Sequence, residues 1–164
     1  LFGDCNPSGR LPVTFYRSDD DLPAFDDYNM TGRTYRYFTG DPLFAFGHGL
    51  SYSDFRYSRA RVRNHELIIK VRNRSRTSGD EVVQVYMAKQ EDAEGPQKAL
   101  RGFRRVHIPA HGSATVRIPL DEAFYATYDE ASGELRATPG RFTVWYGHSS
   151  APQDLRKLKI RKWR

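Results

Sequence analysis

Cysteine is nearly absent: Cys5 is the only one among 164 residues. No internal disulfide can form, and without thiol pairs no structural zinc site is expected. A single thiol suits an oxidising compartment as well as a reducing one, so cysteine usage leaves the location open. Long apolar runs are missing too. A membrane-spanning helix needs about 20 mainly apolar residues, and none is expected here. There is no Gly-x-Gly-x-x-Gly or Walker-type loop to cradle phosphates. No Gly-x-Ser-x-Gly context surrounds Ser149 or Ser150, so a serine-hydrolase triad is not supported. His65, His107, His111 and His148 do not fall at a metal-ligand spacing and are expected at turns and strand ends. No cofactor is implied. No basic stretch followed by an apolar core opens the chain, which starts at Leu1 inside a motif. The expectation is a piece of a longer polypeptide.

What is present is unevenly spread. Residues 1–54 hold 4 Lys/Arg against 8 Asp/Glu, whereas residues 55–164 hold 22 against 12. The asymmetry predicts two units, residues 1–54 and residues 55–164, meeting near Tyr52. Their opposite net charges could draw them together, although exposed pairs contribute little singly.

The two units also differ in pattern. In the first, Leu11, Val13 and Phe15 alternate with Pro12 and Thr14, which reads as a short strand after the turn Asn6-Pro7-Ser8-Gly9. Acidic loop sequence follows at residues 18–21 and 26–27. Such a segment needs a partner surface to bury Phe15, Tyr28, Tyr35, Tyr37, Phe38, Phe44 and Phe46. In the second unit, strand alternation recurs. Leu67, Ile69 and Val71 form one set, and Val83, Val85 and Met87 another. Ala114, Val116, Ile118 and Leu120 follow, then Phe142, Val144 and Tyr146. Successive side chains of a strand point to opposite faces, so each set can line a buried face. Turn residues separate the sets at Ser78-Gly79-Asp80, Ala110-His111-Gly112, Ser132-Gly133 and Pro139-Gly140. About seven such strands predict an antiparallel sandwich. Residues 55–62 switch apolar parity, as an edge strand with a bulge would. No helix beyond a turn or two is predicted. Residues 155–164 alternate Leu158 and Ile160 with six cations. That reads as an outer strand whose charges block unwanted pairing, with a basic tail for an anionic polymer or a subunit contact as the other readings.

Four motifs carry a family resemblance. They are Leu1-Phe2-Gly3-Asp4, Asn6-Pro7-Ser8-Gly9-Arg10-Leu11-Pro12, Gly32-Arg33-Thr34-Tyr35-Arg36-Tyr37-Phe38 and Phe46-Gly47-His48-Gly49-Leu50-Ser51-Tyr52. In this order they resemble the C-terminal part of a family 3 glycoside hydrolase. The Gly-Arg-Thr-Tyr-Arg-Tyr-Phe form leans toward that family's β-xylosidases rather than its β-glucosidases. The rest of the chain resembles the fibronectin type III-like domain that closes many such enzymes. The resemblance implies a mainly β fold: an immunoglobulin-like, fibronectin type III-like β-sandwich preceded by a loop-rich tail of an α/β sandwich domain. It also implies partners, namely the N-terminal domains of a parent glycosidase and, through them, a β-linked oligosaccharide. A secreted or periplasmic parent is favoured.

Retaining glycosidases use two carboxyl groups about 5–5.5 Å apart. In the resembled family the nucleophile is an aspartate of a barrel domain, and the acid/base glutamate lies in the α/β domain. Both precede the stretch matched here, so no carboxylate of this chain is assigned either role. Asp4 reads as a turn or capping group. The best candidates for touching sugar are Arg33, Tyr35 and Arg36, because a guanidinium fork and a phenol ring suit hydroxyl-rich ligands. The same alternation fits a strand packed between domains, with Arg33 and Arg36 pairing with acidic groups of the missing domain. His48 stands where the family has tyrosine or phenylalanine and reads as a turn residue in an aromatic slot. Gly47 and Gly49 are expected to permit angles closed to larger residues. The connection at residues 94–103 is short and lacks an aromatic tip to reach a sugar.

Two other function classes compete. A stand-alone carbohydrate-binding sandwich would use aromatic platforms, for which Trp145 and Trp163 are the candidates. A nucleic-acid binder would use the basic charge (pI ≈ 9.5), but no recognition helix or ribonucleoprotein motif accompanies it. The charge reads as a solvated surface, with neither nucleic acid nor membrane expected as partner.

Overall fold

Helix-forming sequence is scarce, and the fold follows from strand alternation. The computed structural model describes residues 3–129 and 131–162. Leu1, Phe2, Trp163 and Arg164, which figure in the first motif, the aromatic platform and the basic end, lie outside the described residues. In the first fifty residues the regular elements are a 3-10 turn, Asp19–Asp21, and one helical turn, α1 (Thr34–Tyr37).

From residue 55 onward the chain is strand after strand. The first sheet has β1 (Phe55–Tyr57) and β2 (Arg61–Arg63), end to end along one edge of β3 (Glu66–Asn73). The second begins with β4 (Gly79–Lys89) and β5 (Ala99–Ile108). Next, β6 (Ser113–Pro119) returns to the free edge of β3. A helical turn, α2 (Glu122–Tyr125), leads into the hairpin of β7 (Ala126–Asp129) and β8 (Glu134–Ala137). Finally β9 (Gly140–Gly147) and β10 (Leu155–Lys162) complete the second sheet, whose order is β10-β9-β4-β5. Among the described residues, with β1 and β2 counted as one interrupted edge, the two sheets hold the expected seven strands, all antiparallel.

The core lies between the sheets and contains the alternating sets. Leu67 faces Ile118 and Ile69 faces Val116 in the first sheet. Met87 faces Val144 and Val85 faces Tyr146 in the second. Leu67, Ile69, Val71, Val83, Val85, Phe142 and Val144 are fully buried. Each such side chain contributes about 1.5–3 kcal/mol of transfer free energy, so these sets dominate the stability.

The parity switch expected in residues 55–62 has a specific cause. Between β1 and β2 the Tyr146 hydroxyl, reaching across from the second sheet, accepts from Ala60 N–H at 2.8 Å and donates to Ser58 O at 3.1 Å. The edge strand breaks where this phenol replaces the missing ladder bonds. At the other end of the sequence, β10 is the outer strand foreseen. Leu158 and Ile160 pack on the core while Arg156, Lys157, Lys159 and Arg161 face out.

Residues 3–54 form a strap laid over the outer face of the second sheet. Its two arms run antiparallel. Leu11 N–H donates to His48 O (2.9 Å) and Gly47 N–H to Leu11 O (2.8 Å), while Phe15 and Phe44 form an isolated bridge. The strand expected at residues 11–15 is thus an extended arm paired at intervals.

Candidate functional site

Three of the four motifs converge on one strand, β4, and this convergence defines the site. The first is Asn6-Pro7-Ser8-Gly9-Arg10. Asn6 is a hub: its amide donates to Ser53 Oγ (2.8 Å) and Ser78 O (2.9 Å), and its Oδ1 accepts from Ser51 Oγ (3.1 Å) and Tyr52 N–H (2.8 Å). It thereby closes both ends of the strap over the start of β4. Arg10 enters more deeply. Its Nη2 donates to Glu81 Oε2 at 2.8 Å, with side-chain exposures of 9% and 1%. The second Glu81 oxygen accepts from Tyr57 Oη at 2.5 Å.

Burial dominates the electrostatics of this trio. It pushes the Glu81 carboxyl up, against the Tyr57 hydrogen bond and the positive charge of Arg10. The Tyr57 phenol is raised by its own burial and by the adjacent carboxylate. Both Glu81 oxygens are occupied, so this carboxylate is structural and unsuited to acid/base work. The one buried ion pair between strap and sandwich among the described residues also runs against the charge asymmetry. The cation comes from the acidic segment and the anion from the basic one.

The third motif supplies Phe46 and Gly47. Phe46 stacks on Tyr35 (4.2 Å between centroids, 23° between planes), and both rings meet Tyr86 of β4 edge-on. Gln84 donates from Nε2 to Gly47 O (3.2 Å) and His148 O (2.7 Å), and its Oε1 accepts from Tyr86 Oη (2.5 Å). Gly47 has φ +81°, and a Cβ there would lie 2.0 Å from Gln84 Oε1. Conformation and space both demand glycine. Gly49 is needed for a different reason than its expected freedom of angle. Its φ is ordinary, but a Cβ would lie 2.1 Å from Gly9 O. His48 sits in a turn with its ring 5.1 Å from Phe44, in the aromatic slot expected for it.

Arg33, Tyr35 and Arg36 lie together at α1 but turn to different partners. The alternation read as a strand is one helical turn, closed by Tyr37 N–H to Arg33 O and Phe38 N–H to Thr34 O. A period of two over four residues does not distinguish the two. Arg33 donates Nε to Asn29 O (2.9 Å) and Nη2 to the carbonyl of Asp27, holding the preceding loop. Tyr35 lies under the strap, and its hydroxyl accepts from Leu100 N–H of β5 at 3.0 Å. Among the described residues Arg36 makes no side-chain hydrogen bond, and its Nε is buried without a partner. Beside α1 lies a cleft of about 340 Å³ between strap and sandwich, lined in part by Thr14, Gln97, Lys98, His48 and Asp154.

Gln84, Tyr86 and Glu81 were not singled out from the sequence. The available signal was an acid and an amide flanking Val82 and Val83 in a mainly apolar run, which is unusual unless both faces are covered. Trp145 shares the outer face with Tyr86, and Lys157 Nζ caps its ring at 5.6 Å. Among the described residues no three His, Cys, Asp or Glu side chains gather as a metal site, and no helix is long and apolar enough to cross a membrane.

Comparison with known proteins places this architecture. Residues 1–52 match the glycosyl hydrolase family 3 C-terminal domain and residues 81–150 match the fibronectin type III-like domain. A xylan 1,4-beta-xylosidase of Xylanibacter ruminicola is 43% identical over 98% of this chain and 19% of its own length. A thermostable beta-glucosidase B of Acetivibrio thermocellus is 32% identical over 99% of this chain and 25% of its own. Among solved structures, a beta-glucosidase from Streptomyces venezuelae superposes with a TM-score of 0.84 at 30% identity, covering 99% of this chain and 24% of that one. One from Chaetomella raphigera gives 0.85 at 28% identity, covering 98% and 27%. A fibronectin type III-like sandwich bound to such a strap is the class of structure found here. The chain belongs to the family 3 glycoside hydrolases, whose C-terminal region it carries. It spans about a fifth to a quarter of the length of these relatives.

Proposed function

We propose that this chain is the accessory, non-catalytic C-terminal region of a retaining, exo-acting β-xylosidase or β-glucosidase that works on oligosaccharides from plant polysaccharides. The supporting observation is the two-sidedness of the strap. One side is fastened to β4, while the other leaves Phe25 wholly exposed, Tyr28 90% exposed and Leu50 72% exposed. Large apolar side chains at a surface mark a contact to come. In this reading residues 1–54 are the last part of an α/β domain plus linker, and residues 55–164 are the sandwich that clamps it. The remaining domains supply the nucleophile and the acid/base carboxyl. Arg33 and Tyr35 act in packing, and Arg36 is the member of the candidate trio with donors left to offer. Location outside the cytoplasm is part of the same reading.

The test is hydrolysis of an aryl β-xyloside and an aryl β-glucoside. The pure 164-residue chain should turn over neither, and the longer polypeptide that contains it should cleave one in preference. Turnover by the chain alone would refute the reading. A free-standing carbohydrate-binding module is the competing class, and co-sedimentation of the chain with insoluble xylan would favour it.

A further inference from the structure

One pair of cations has no role in the strap as described so far. α1 is tied to the β4–β5 connection by Gln97, whose N–H donates to Arg36 O (2.8 Å) and whose Nε2 reaches the carbonyls of Tyr37 and Phe38 (3.2 Å each). With the bond from Leu100 N–H to Tyr35, this seats Arg36 against β5. β5 bulges at that point. Val85 pairs with Gly102 and Tyr86 with Leu100, which leaves Arg101 unpaired between them. A bulge re-aims the side chain it carries. Burial and the charge of Arg36 both make Arg101 a weaker base, and burial does the same to Lys98 nearby.

The Nε atoms of Arg36 and Arg101 are both buried without a hydrogen-bond partner. Neither guanidinium forms an ion pair among the described residues. Arg10 also has an unpaired Nε, yet its charge is met by Glu81. Two adjacent, partly desolvated cations without an anion are destabilising. A guanidinium fork matches a carboxylate in shape and charge. Relatives devote three-quarters or more of their length to residues beyond the matched part.

We propose that Arg36 and Arg101 form a carboxylate clamp, occupied by an aspartate or glutamate side chain from the part of the polypeptide outside these 164 residues. The occupant rests on the reading under Proposed function; the clamp does not. The clamp is tested on the 164-residue chain with acetate as probe, by nitrogen–proton correlation spectra of the arginine Nε–H groups. Acetate should move the Arg36 and Arg101 signals saturably, roughly threefold more than chloride at equal ionic strength, with Arg33 unmoved as control. Equal responses to the two salts overturn the clamp, whatever the parent enzyme proves to be.

The occupant is tested by thermal unfolding of Arg36→Met plus Arg101→Met in both lengths of protein. The double substitution should raise the midpoint of the 164-residue chain or leave it unchanged, and should lower that of the longer polypeptide by a few degrees. The same sign in both overturns the occupant. So does glucuronate if it raises the midpoint of the longer polypeptide but not of its double variant, because the site then takes a free acidic sugar. If the double variant does not fold, Arg101→Lys keeps the charge and removes the fork. The acetate response at Arg36 should then weaken severalfold, and an unchanged response counts against the clamp.

Discussion

The sandwich and the strap solve the same problem in opposite ways. The sandwich hides Leu67, Ile69, Val85, Phe142 and Val144 between its own two sheets. The strap is about twice as dense in aromatic residues as the sandwich but has no second layer. It borrows the outer face of β4 for Tyr35 and Phe46 and leaves Phe25 and Tyr28 in water. The contrast teaches that β4 is a shared element: Val83, Val85 and Met87 pack in the sandwich core, Gln84 and Tyr86 on the outer face meet the strap, and Arg10 of the strap also reaches Glu81, which shares the parity of Val83 and Val85. A strand buried on both faces, with Gln84 and Glu81 satisfied by the strap, is what converts a covering segment into part of the fold.

If that view is right, the largest loss should come from Glu81→Ala. It strands Arg10 in a buried site and removes the acceptor of Tyr57, and losses of this kind cost about 3–5 kcal/mol. Urea unfolding of the 164-residue chain measures it. Glu81→Gln should be milder, because burial already favours the neutral carboxyl. Gly47→Val should come next, at about 2–3 kcal/mol from overpacking and a left-handed backbone. Its effect should be selective. Limited proteolysis should open residues 11–50 while amide exchange in β3 and β9 stays slow, whereas loss of both together would break the distinction between the units. A smaller cost, about 1 kcal/mol, is expected of Tyr35→Phe, which deprives Leu100 N–H of its acceptor.

The smallest effects are in pH dependence, and they have opposite signs. Asp80 is held below its ordinary 3.8 by the His107 hydrogen bond, with Arg105 adding to it. Its stabilisation is present above that value and lost as pH falls below it. Glu81 is raised above its ordinary 4.5 by burial. Its contribution is full below 4.5 and lost as pH rises through the raised value. Unfolding free energy measured from pH 3 to 7 should therefore lose part of its acid-side fall in Asp80→Asn. Part of the decline toward neutrality should vanish in Glu81→Gln.

Much of the sandwich was legible because alternation and turn chemistry agree. Asn64 and His65 turn the β2–β3 hairpin with positive φ, and the sets at residues 67–71, 83–87 and 142–146 all face the core. The break at residues 58–60 was visible as a parity switch, but its cause, a phenol from the far sheet, was not a local property. α1 was misread as a strand because four residues carry too little periodicity. The strap's motifs were legible as family marks, yet their purpose was hidden, since Asn6 and Arg10 act on residues more than forty positions away. The cover on the outer face of β4 was not legible, because it comes from residues about forty positions earlier.

The two-sided burial of β4 also sets an order of assembly. The strap is synthesised before the strand it must lie on, and its own regular structure amounts to a 3-10 turn, one helical turn and an isolated bridge. Its aromatic side chains stay uncovered until β4, β5 and β9 have left the ribosome and paired. A polypeptide interrupted before β9 therefore displays Tyr35 and Phe46, uncovered apolar surface of the kind that makes an incomplete chain prone to aggregation and proteolysis.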